Sequence, residues 1–428
     1  MLRYASPNER RTISREDLGF YHAVVVSATY EFDNALDVTA PTSFHAPIAH
    51  CIAQHPFLSV LVKDRHTDKA YYQRAPHVDL SQHLAILPPV VDTAKQSAIQ
   101  ALLASELDRP FDHAIPPWRV LVTPLINTPL RDTPGETTSC ILTFSFSHSI
   151  LDGPSGISFL LSPLLGAILP SFLTSRLNIA PQAVVLSEKT WTGTPCAFVP
   201  GTTRSKVAVR VIDAETVARA LATARGRGVK LTGVMHALVG RGLRAALGDE
   251  GAELVAVTAV DLRAAVGRAA GEMGEFAAGE YTAFPPSGGE AGGLTEGEWE
   301  GAGRVTGQLG EARGRLRDQA VGLLRFLPSV RGWLRGKVGG RRDCSYEVSN
   351  LGGVDFGEGR GGRVVEAVFA QPGMVVSCPV CVNVVSVKGW RLVYTVTWAT
   401  GALGVGEDEE DAFVERVYEV VDDGFRGL

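Results

Sequence analysis

The segment Phe144-Ser145-Phe146-Ser147-His148-Ser149-Ile150-Leu151-Asp152-Gly153 sets an imidazole and a carboxylate four residues apart, with a glycine directly behind them. An imidazole has an ordinary pKa of about 6.5, so it can take a proton from a hydroxyl or an amine and hand it on to a leaving group. Ser147 and Ser149 flank His148, and along an extended chain they point to the opposite face, which makes them poor partners for a nucleophile–base pair. With no evident nucleophile of the protein to activate, His148 would have to activate a substrate. The local residues equally fit a satisfied core histidine beside an aspartate that caps a helix starting near Pro154.

The elements that would position this pair are readable on either side. Ile141 to Phe146 alternate apolar and small polar residues, the period of a strand, and Gly153-Pro154 opens a helical run. The histidine therefore stands where a strand ends. Upstream, Leu18 to Tyr30, Leu58 to Val62, Ala70 to Gln73 and Trp118 to Val122 read as strands. Thr42 to His55 and a stretch through Leu107 read as helices.

Around Pro170 to Thr203 the periodicity fails, and composition shifts. Six glycines and nineteen prolines precede residue 201, whereas forty glycines and five prolines lie from residue 201 onward. This divides the chain into an N-terminal lobe at 1–175, a crossover at 176–204 and a C-terminal lobe at 205–428. In the second lobe, Ser205 to Val211 and Leu254 to Arg263 read as strands. Helices are expected from a cap at Asp213 or Thr216, from a cap at Thr232, and over a long glycine-rich stretch from Leu294 to Val338. Strands at 345–349, 364–369, 374–387 and 391–398 and a terminal helix at 407–421 complete an α/β or α+β sandwich.

Other motifs carry less. There is no G-x-x-x-x-G-K-[ST], no H-E-x-x-H, no G-x-S-x-G and no cysteine–histidine cluster of zinc spacing, so no metal is expected. The string at Gly357 to Gly362 fits G-x-G-x-x-G, but a strand follows it rather than a phosphate-binding helix, which excludes a dinucleotide site. Cys378-Pro379-Val380-Cys381 has redox spacing. It lies inside a strand-like run, where a thiolate would lack helix-dipole support, and is read as structural. The basic residues Arg331, Arg335, Lys337, Arg341 and Arg342 read as a solvated face, with a phosphate or anionic-surface patch as the alternative.

With 428 residues, 45% apolar content and net charge −5, the chain is long enough for two domains of about 200 residues, and nothing in it suggests nucleic acid as a partner. Its six cysteines are too scattered for a disulfide scaffold. No Asn-x-Ser/Thr sequon occurs and the N-terminus lacks an apolar signal core, so a cytoplasmic, reducing setting is expected. The longest apolar run, Ile157 to Leu173, is broken by Pro163 and Pro170 and is too short to span a bilayer. Peripheral contact with endoplasmic reticulum or lipid droplets stays open.

The run His148-Ser149-Ile150-Leu151-Asp152-Gly153 resembles the H-x-x-x-D-G signature of the chloramphenicol acetyltransferase-like superfamily, which includes plant BAHD acyltransferases and peptide-synthetase condensation domains. Within it, the chain is most similar to the fungal alcohol O-acetyltransferase family. Leu18 to Tyr30, Val260 to Arg263, and Glu347-Val348-Ser349-Asn350-Leu351-Gly352 followed by Asp355-Phe356-Gly357-Glu358-Gly359 resemble that family's further segments in order, from about residue 14 to about 420. Glu358 departs from it, standing where the plant enzymes carry tryptophan.

The resemblance implies two similar lobes with a tunnel between them. His148 would be a general base mid-tunnel, with acetyl-CoA or another acyl-CoA as co-substrate, a small alcohol as acceptor, no acyl-enzyme and no permanently bound cofactor. It implies a structural Asp152 paired with an arginine, for which Arg263 is the candidate, and a Gly153 that leaves room beside the ring. Ser349 and Asn350 become candidate oxyanion donors, and Asp355 a supporting residue. A monomer is expected. N-acylation of an amine, condensation or cyclisation of a natural product, and a non-catalytic binding role are the competing readings.

Overall fold

β-Branched and aromatic runs build one six-stranded sheet for each half of the chain, in a computed structural model that describes every residue except 33–35, 127–137, 162–183, 185, 287–291, 315–319 and 357–361. The first sheet runs in the order Gly362–Ala370, Val24–Phe32, Thr138–Phe146, Trp118–Ile126 and Leu84–Ile86, with Val90–Val91 also paired to Trp118–Ile126. The second runs Ala277–Phe284, Leu254–Asp261, Tyr346–Val354, Val380–Val387, Leu392–Ala399 and Ser205–Ile212. A small three-stranded sheet joins Arg3–Tyr4, Tyr71–Arg74 and Val60–Lys63.

One strand crosses the expected lobe division. Gly362–Ala370 belongs to the second half by sequence, yet it closes the first sheet by pairing antiparallel with Val24–Phe32, Phe369 opposite Val26. The lobes are therefore held by an exchanged strand as well as by surface contact. Most of the apolar run Ile157 to Leu173, part of the crossover and the string at 357–361 with Glu358 lie outside the described residues.

The strand Thr138–Phe146 is central and buried on both faces. Helix Lys95–Leu107 and Val207 and Val209 of the second lobe cover the side that carries its small polar residues, where the hydroxyls of Ser27 and Thr143 lie 2.8 Å apart and that of Ser145 is buried without a partner. On the other side, helix Gly153–Leu161 stacks Phe159 on Phe144 with centroids 3.8 Å apart. Burying such a ring stabilises by about 1.5–3 kcal/mol, which docks the helix and the turn before it. Gly156 permits the approach, since a Cβ there would sit 2.7 Å from Val26 Cγ2 and 2.8 Å from Phe146 Cε1.

Several elements differ from expectation. The strand expected from Leu18 begins at Val24, and Pro7–Asp17 ahead of it is a helix. Its start carries a capping box, Glu9 N donating to Ser6 Oγ and Ser6 N to Glu9 Oε2, with Pro7 in the first turn. Thr232 caps nothing: helix Leu231–Leu247 starts from Lys230 without a side-chain cap, and the Thr232 hydroxyl accepts from Asn350. The glycine-rich stretch from Leu294 is not one helix but Glu296–Ala312, a 3-10 segment Ala320–Phe326 and, past Pro328, the short helix Val330–Gly336. Ala277–Phe284 is a strand with no counterpart in the sequence reading.

Candidate active site

The turn after Phe146 is anchored from behind. Ser147 N donates to Pro117 O at 2.9 Å, Tyr72 Oη donates to Ser149 O at 2.6 Å, and the Ser147 and Ser149 hydroxyls lie 2.5 Å apart, with Ser147 also donating to the buried Glu16 carboxyl. Both serines are thus committed to the side away from the cavity. Burial lifts the Glu16 carboxyl to about 7.

Asp152 is held from three directions. Arg263 Nη2 donates to Oδ1 at 2.5 Å and Nη1 to Oδ2 at 2.8 Å, and both side chains are 1% exposed. Ser155 N and Oγ also donate to Oδ1, so Asp152 caps helix Gly153–Leu161 as well. Phe276 N donates to Oδ2 at 3.1 Å, Asp152 N donates to Gly274 O at 3.1 Å, and Gly274 N donates to Ser155 Oγ. A bidentate buried pair of this kind costs about 3–5 kcal/mol to break, because one unpartnered charge is left behind.

That clamp has a consequence for the residue between its two backbone contacts. Glu275, with Gly274 and Phe276 pinned to the Asp152 turn, presents Oε2 2.6 Å from Nδ1 of His148, in the geometry of an ion pair rather than of an aligned hydrogen bond. Glu275 is 1% exposed, and Asn8 Nδ2 holds its other oxygen at 3.0 Å. Burial lowers the His148 pKa, but the Glu275 charge more than offsets this and leaves it above its ordinary 6.5. Nδ1 is engaged, so Nε2, which has no protein partner among the described residues, is the nitrogen available to the cavity that His148 lines. The Tyr21 ring meets the imidazole edge-on at 5.6 Å.

The cavity is about 470 Å³, within the range of small-molecule sites, and both lobes build it. The first sheet brings His148, Gly153 and Phe369, and the second brings Val257, Ala278 and Glu347. Burial raises the Glu347 carboxyl to about 7. Arg11, Arg313, Lys337 and Trp333 also line it.

Of the residues singled out from sequence, His148, Asp152, Gly153, Ser349 and Asn350 line this cavity, and Arg263 stands behind it on Asp152. Gly153 makes room for something other than the imidazole: a Cβ there would fall 2.8 Å from Leu351 Cδ2 and 3.4 Å from Phe369 Cζ, so the glycine admits the second lobe. The Asn350 amide is spent locally, Nδ2 donating to Thr232 Oγ1 at 3.1 Å and Oδ1 accepting from Gly352 N at 2.7 Å. Asp355 is a correction. It follows the end of strand Tyr346–Val354 and lies at the surface 3.0 Å from Lys388, away from the cavity.

Glu275, Asn8 and Glu347 had not been identified as site residues. Glu275 follows a glycine-rich stretch with no periodic signal, and Asn8 lies on the unforeseen first helix. The signal available for Glu347 was a carboxylate between the apolar Tyr346 and Val348 near the start of a strand.

No protein-family model matches the chain. It is 22% identical to an uncharacterized protein of Schizosaccharomyces pombe, over 90% of this chain and 89% of that one. Among solved structures it is similar to a trichothecene 15-O-acetyltransferase from Fusarium sporotrichioides, with TM-score 0.66, 13% identity, and 97% and 94% of the two chains covered. It is similar also to the condensation domain of a monacolin K polyketide synthase, with TM-score 0.62, 11% identity and coverage of 99% and 98%. A third is the starter condensation domain of rhizomide synthetase in complex with C8-CoA, with TM-score 0.61, 12% identity and coverage of 100% and 94%. The chain therefore has the two-lobed fold shared by condensation domains and CoA-dependent acyltransferases.

Proposed function

We propose that the protein is an acyl-CoA-dependent O-acyltransferase in which His148 is the general base, with acetyl as the simplest acyl group and a small alcohol as acceptor. The observation that carries this reading is a histidine whose Nδ1 is held by a buried carboxylate and whose Nε2 meets an inter-lobe cavity, with Ser147 and Ser149 turned away. Such an imidazole takes the acceptor's proton as its oxygen bonds to the thioester carbonyl carbon, and returns it to the departing thiolate. Glu275 sets the tautomer and stabilises the imidazolium between those two transfers. General-base help supplies roughly 10² to 10⁴ in rate, and co-binding both substrates supplies much of the remainder.

Asp152 and Arg263 are positioning residues in this scheme: they hold the backbone on both sides of Glu275. Ser349, whose hydroxyl has no protein partner among the described residues, is the candidate donor to the developing oxyanion. Arg11, Arg313 and Lys337 supply positive charge suited to the CoA phosphates. Among the described residues no helix is long and apolar enough to cross a membrane. Leu323 and Trp333 line the cavity and are exposed, which favours an apolar acceptor.

The test is thiol release from acetyl-CoA by the purified protein with a panel of alcohols and amines, beside His148→Ala. Release that requires an alcohol and is lost in the variant is the expected result. Release with amines alone would replace the reading by N-acylation. A folded protein that binds CoA but turns over no acceptor with acetyl-, medium-chain or long-chain acyl-CoA would overturn it.

A further inference from the structure

Three buried thiols and one carboxylate converge in the cavity wall, where the mechanism above has no use for them. Cys378 Sγ and Cys381 Sγ lie 3.4 Å apart, and the Cys344 thiol adjoins that of Cys378. The ligand atoms of Cys378, Cys381 and Glu347 all fall within 4.8 Å of one another. Cys344, Cys378 and Cys381 are each 0% exposed, whereas Glu347 faces the cavity and gives an ion a way in. The chain makes the convergence by placing Cys344 and Glu347 at the start of strand Tyr346–Val354 beside the bend at Pro379 that opens the parallel strand Val380–Val387, with Glu347 opposite Cys381.

Charge points the same way. Arg342 is 2% exposed, and its donors reach only carbonyls, those of Thr194, Met374, Val375 and Cys378. The ionisable groups acting on it are the thiols of Cys196, Cys378, Cys381 and Cys344. Arg15 lines the same wall, with a buried Nε that has no partner, and the carboxylate whose charge acts on it is that of Glu347. A buried cation without a counter-charge is costly, so these guanidinium groups call for negative charge on the cluster.

We propose that Cys378, Cys381 and Glu347 bind a zinc ion in the cavity wall, with the fourth position open toward the cavity that Glu347 faces. Zinc takes thiolate and carboxylate ligands tetrahedrally, with Zn–S near 2.3 Å, which sets sulfurs about 3.8 Å apart and close to the spacing found here. Binding releases the thiol protons. Two thiolates and a carboxylate around Zn²⁺ carry a net charge of minus one, which faces Arg342 and Arg15. A Cys378–Cys381 disulfide would use two of the three donors and leave no thiolate beside Arg342.

The ligand Glu347 is oriented from outside, as metal ligands are: Gln371 Nε2 donates to Glu347 Oε1 at 3.1 Å, and Tyr21 Oη donates to Gln371 Oε1 at 2.9 Å. Tyr21 is the ring against His148. The ion would therefore brace the wall beside the imidazole, and the proposal stands whether or not acyl transfer does.

The test uses the full chain, purified reduced and without chelator. Elemental analysis should find about one zinc per chain, retained against a weak chromophoric chelator. Cobalt substitution should give the sulfur charge-transfer band and visible bands of a tetrahedral thiolate site. Cys378→Ser and Cys381→Ser should lose the metal, while Cys51→Ser, a buried thiol elsewhere, keeps it. Because the cluster variants could misfold, alkylation of the wild type is measured as well: added zinc should protect Cys378 and Cys381 selectively. Wild type that takes up no zinc when reduced, or alkylates at the same rate with and without zinc, overturns the proposal. A Cys378–Cys381 disulfide that forms in air despite zinc overturns it in favour of a redox pair.

Discussion

Replacing Glu275 by glutamine removes a charge from beside His148 while keeping the shape of the side chain. The nearest atoms of the pair are 2.6 Å apart. For charge centres about 4 Å apart at an effective dielectric near 20, the attraction is about 4 kcal/mol, and one pKa unit corresponds to about 1.4 kcal/mol. In the wild type this attraction outweighs the burial of the ring and holds the pKa above 6.5. In Glu275→Gln the burial and the Arg15 charge remain against the weaker pull of Asp152, so the pKa crosses to the other side of 6.5. In the proposed reaction neutral imidazole is the base, so activity rises with pH through the His148 pKa, and the acid limb of kcat/KM should move to lower pH. At the same time kcat on the plateau should fall on the order of 10²-fold, because the imidazolium loses its counter-ion.

The sign is opposite for stability. A raised histidine pKa contributes stability that is complete below the unfolded value and lost as pH rises through the folded one, so the variant should lose more stability at pH 6 than at pH 9. NMR titration of the imidazole, assigned among ten histidines with His148→Ala, reads the pKa without reliance on turnover. An imidazole pKa in Glu275→Gln equal to or above that of the wild type would refute the assignment of Glu275 as the residue that sets His148.

Asp152→Ala and Arg263→Ala should each cost about 3–5 kcal/mol in urea unfolding. The double variant should cost clearly less than their sum, and all three should displace Glu275; additive costs would sink the clamp. Gly153→Ala should cost about 1–3 kcal/mol through contact with Leu351, and Gly153→Ala/Leu351→Ala should recover part of it in thermal melts. Glu16, with its carboxyl lifted to about 7, favours the folded state most at acid pH, and that contribution fades as pH rises from the usual carboxylate range through 7. Glu16→Gln should therefore gain about 2–3 kcal/mol relative to wild type at pH 8 over its standing at pH 4, and a flat difference across that range would show the carboxyl to be ordinary.

Strand Thr138–Phe146 and the turn into helix Gly153–Leu161 were legible because both are local: period-two apolarity, then glycine and proline. So was the candidacy of His148. Helix Pro7–Asp17 carried its own start signal in Ser6, Pro7 and Glu9, and it could have been read.

What lay beyond sequence depended on distance along the chain. Glu275 reaches His148 from 127 positions away because Arg263, Asp152 and Ser155 fasten its neighbours, and no spacing rule links those numbers. The exchange of Gly362–Ala370 into the first sheet and the meeting of Cys344 and Glu347 with Cys378 and Cys381 likewise come from strand pairing. Residue types along the chain determined that an imidazole stood at the end of a buried strand. Only the tertiary structure decided which carboxylate holds it, because the partner of a buried charge is chosen by which distant backbone the fold brings alongside.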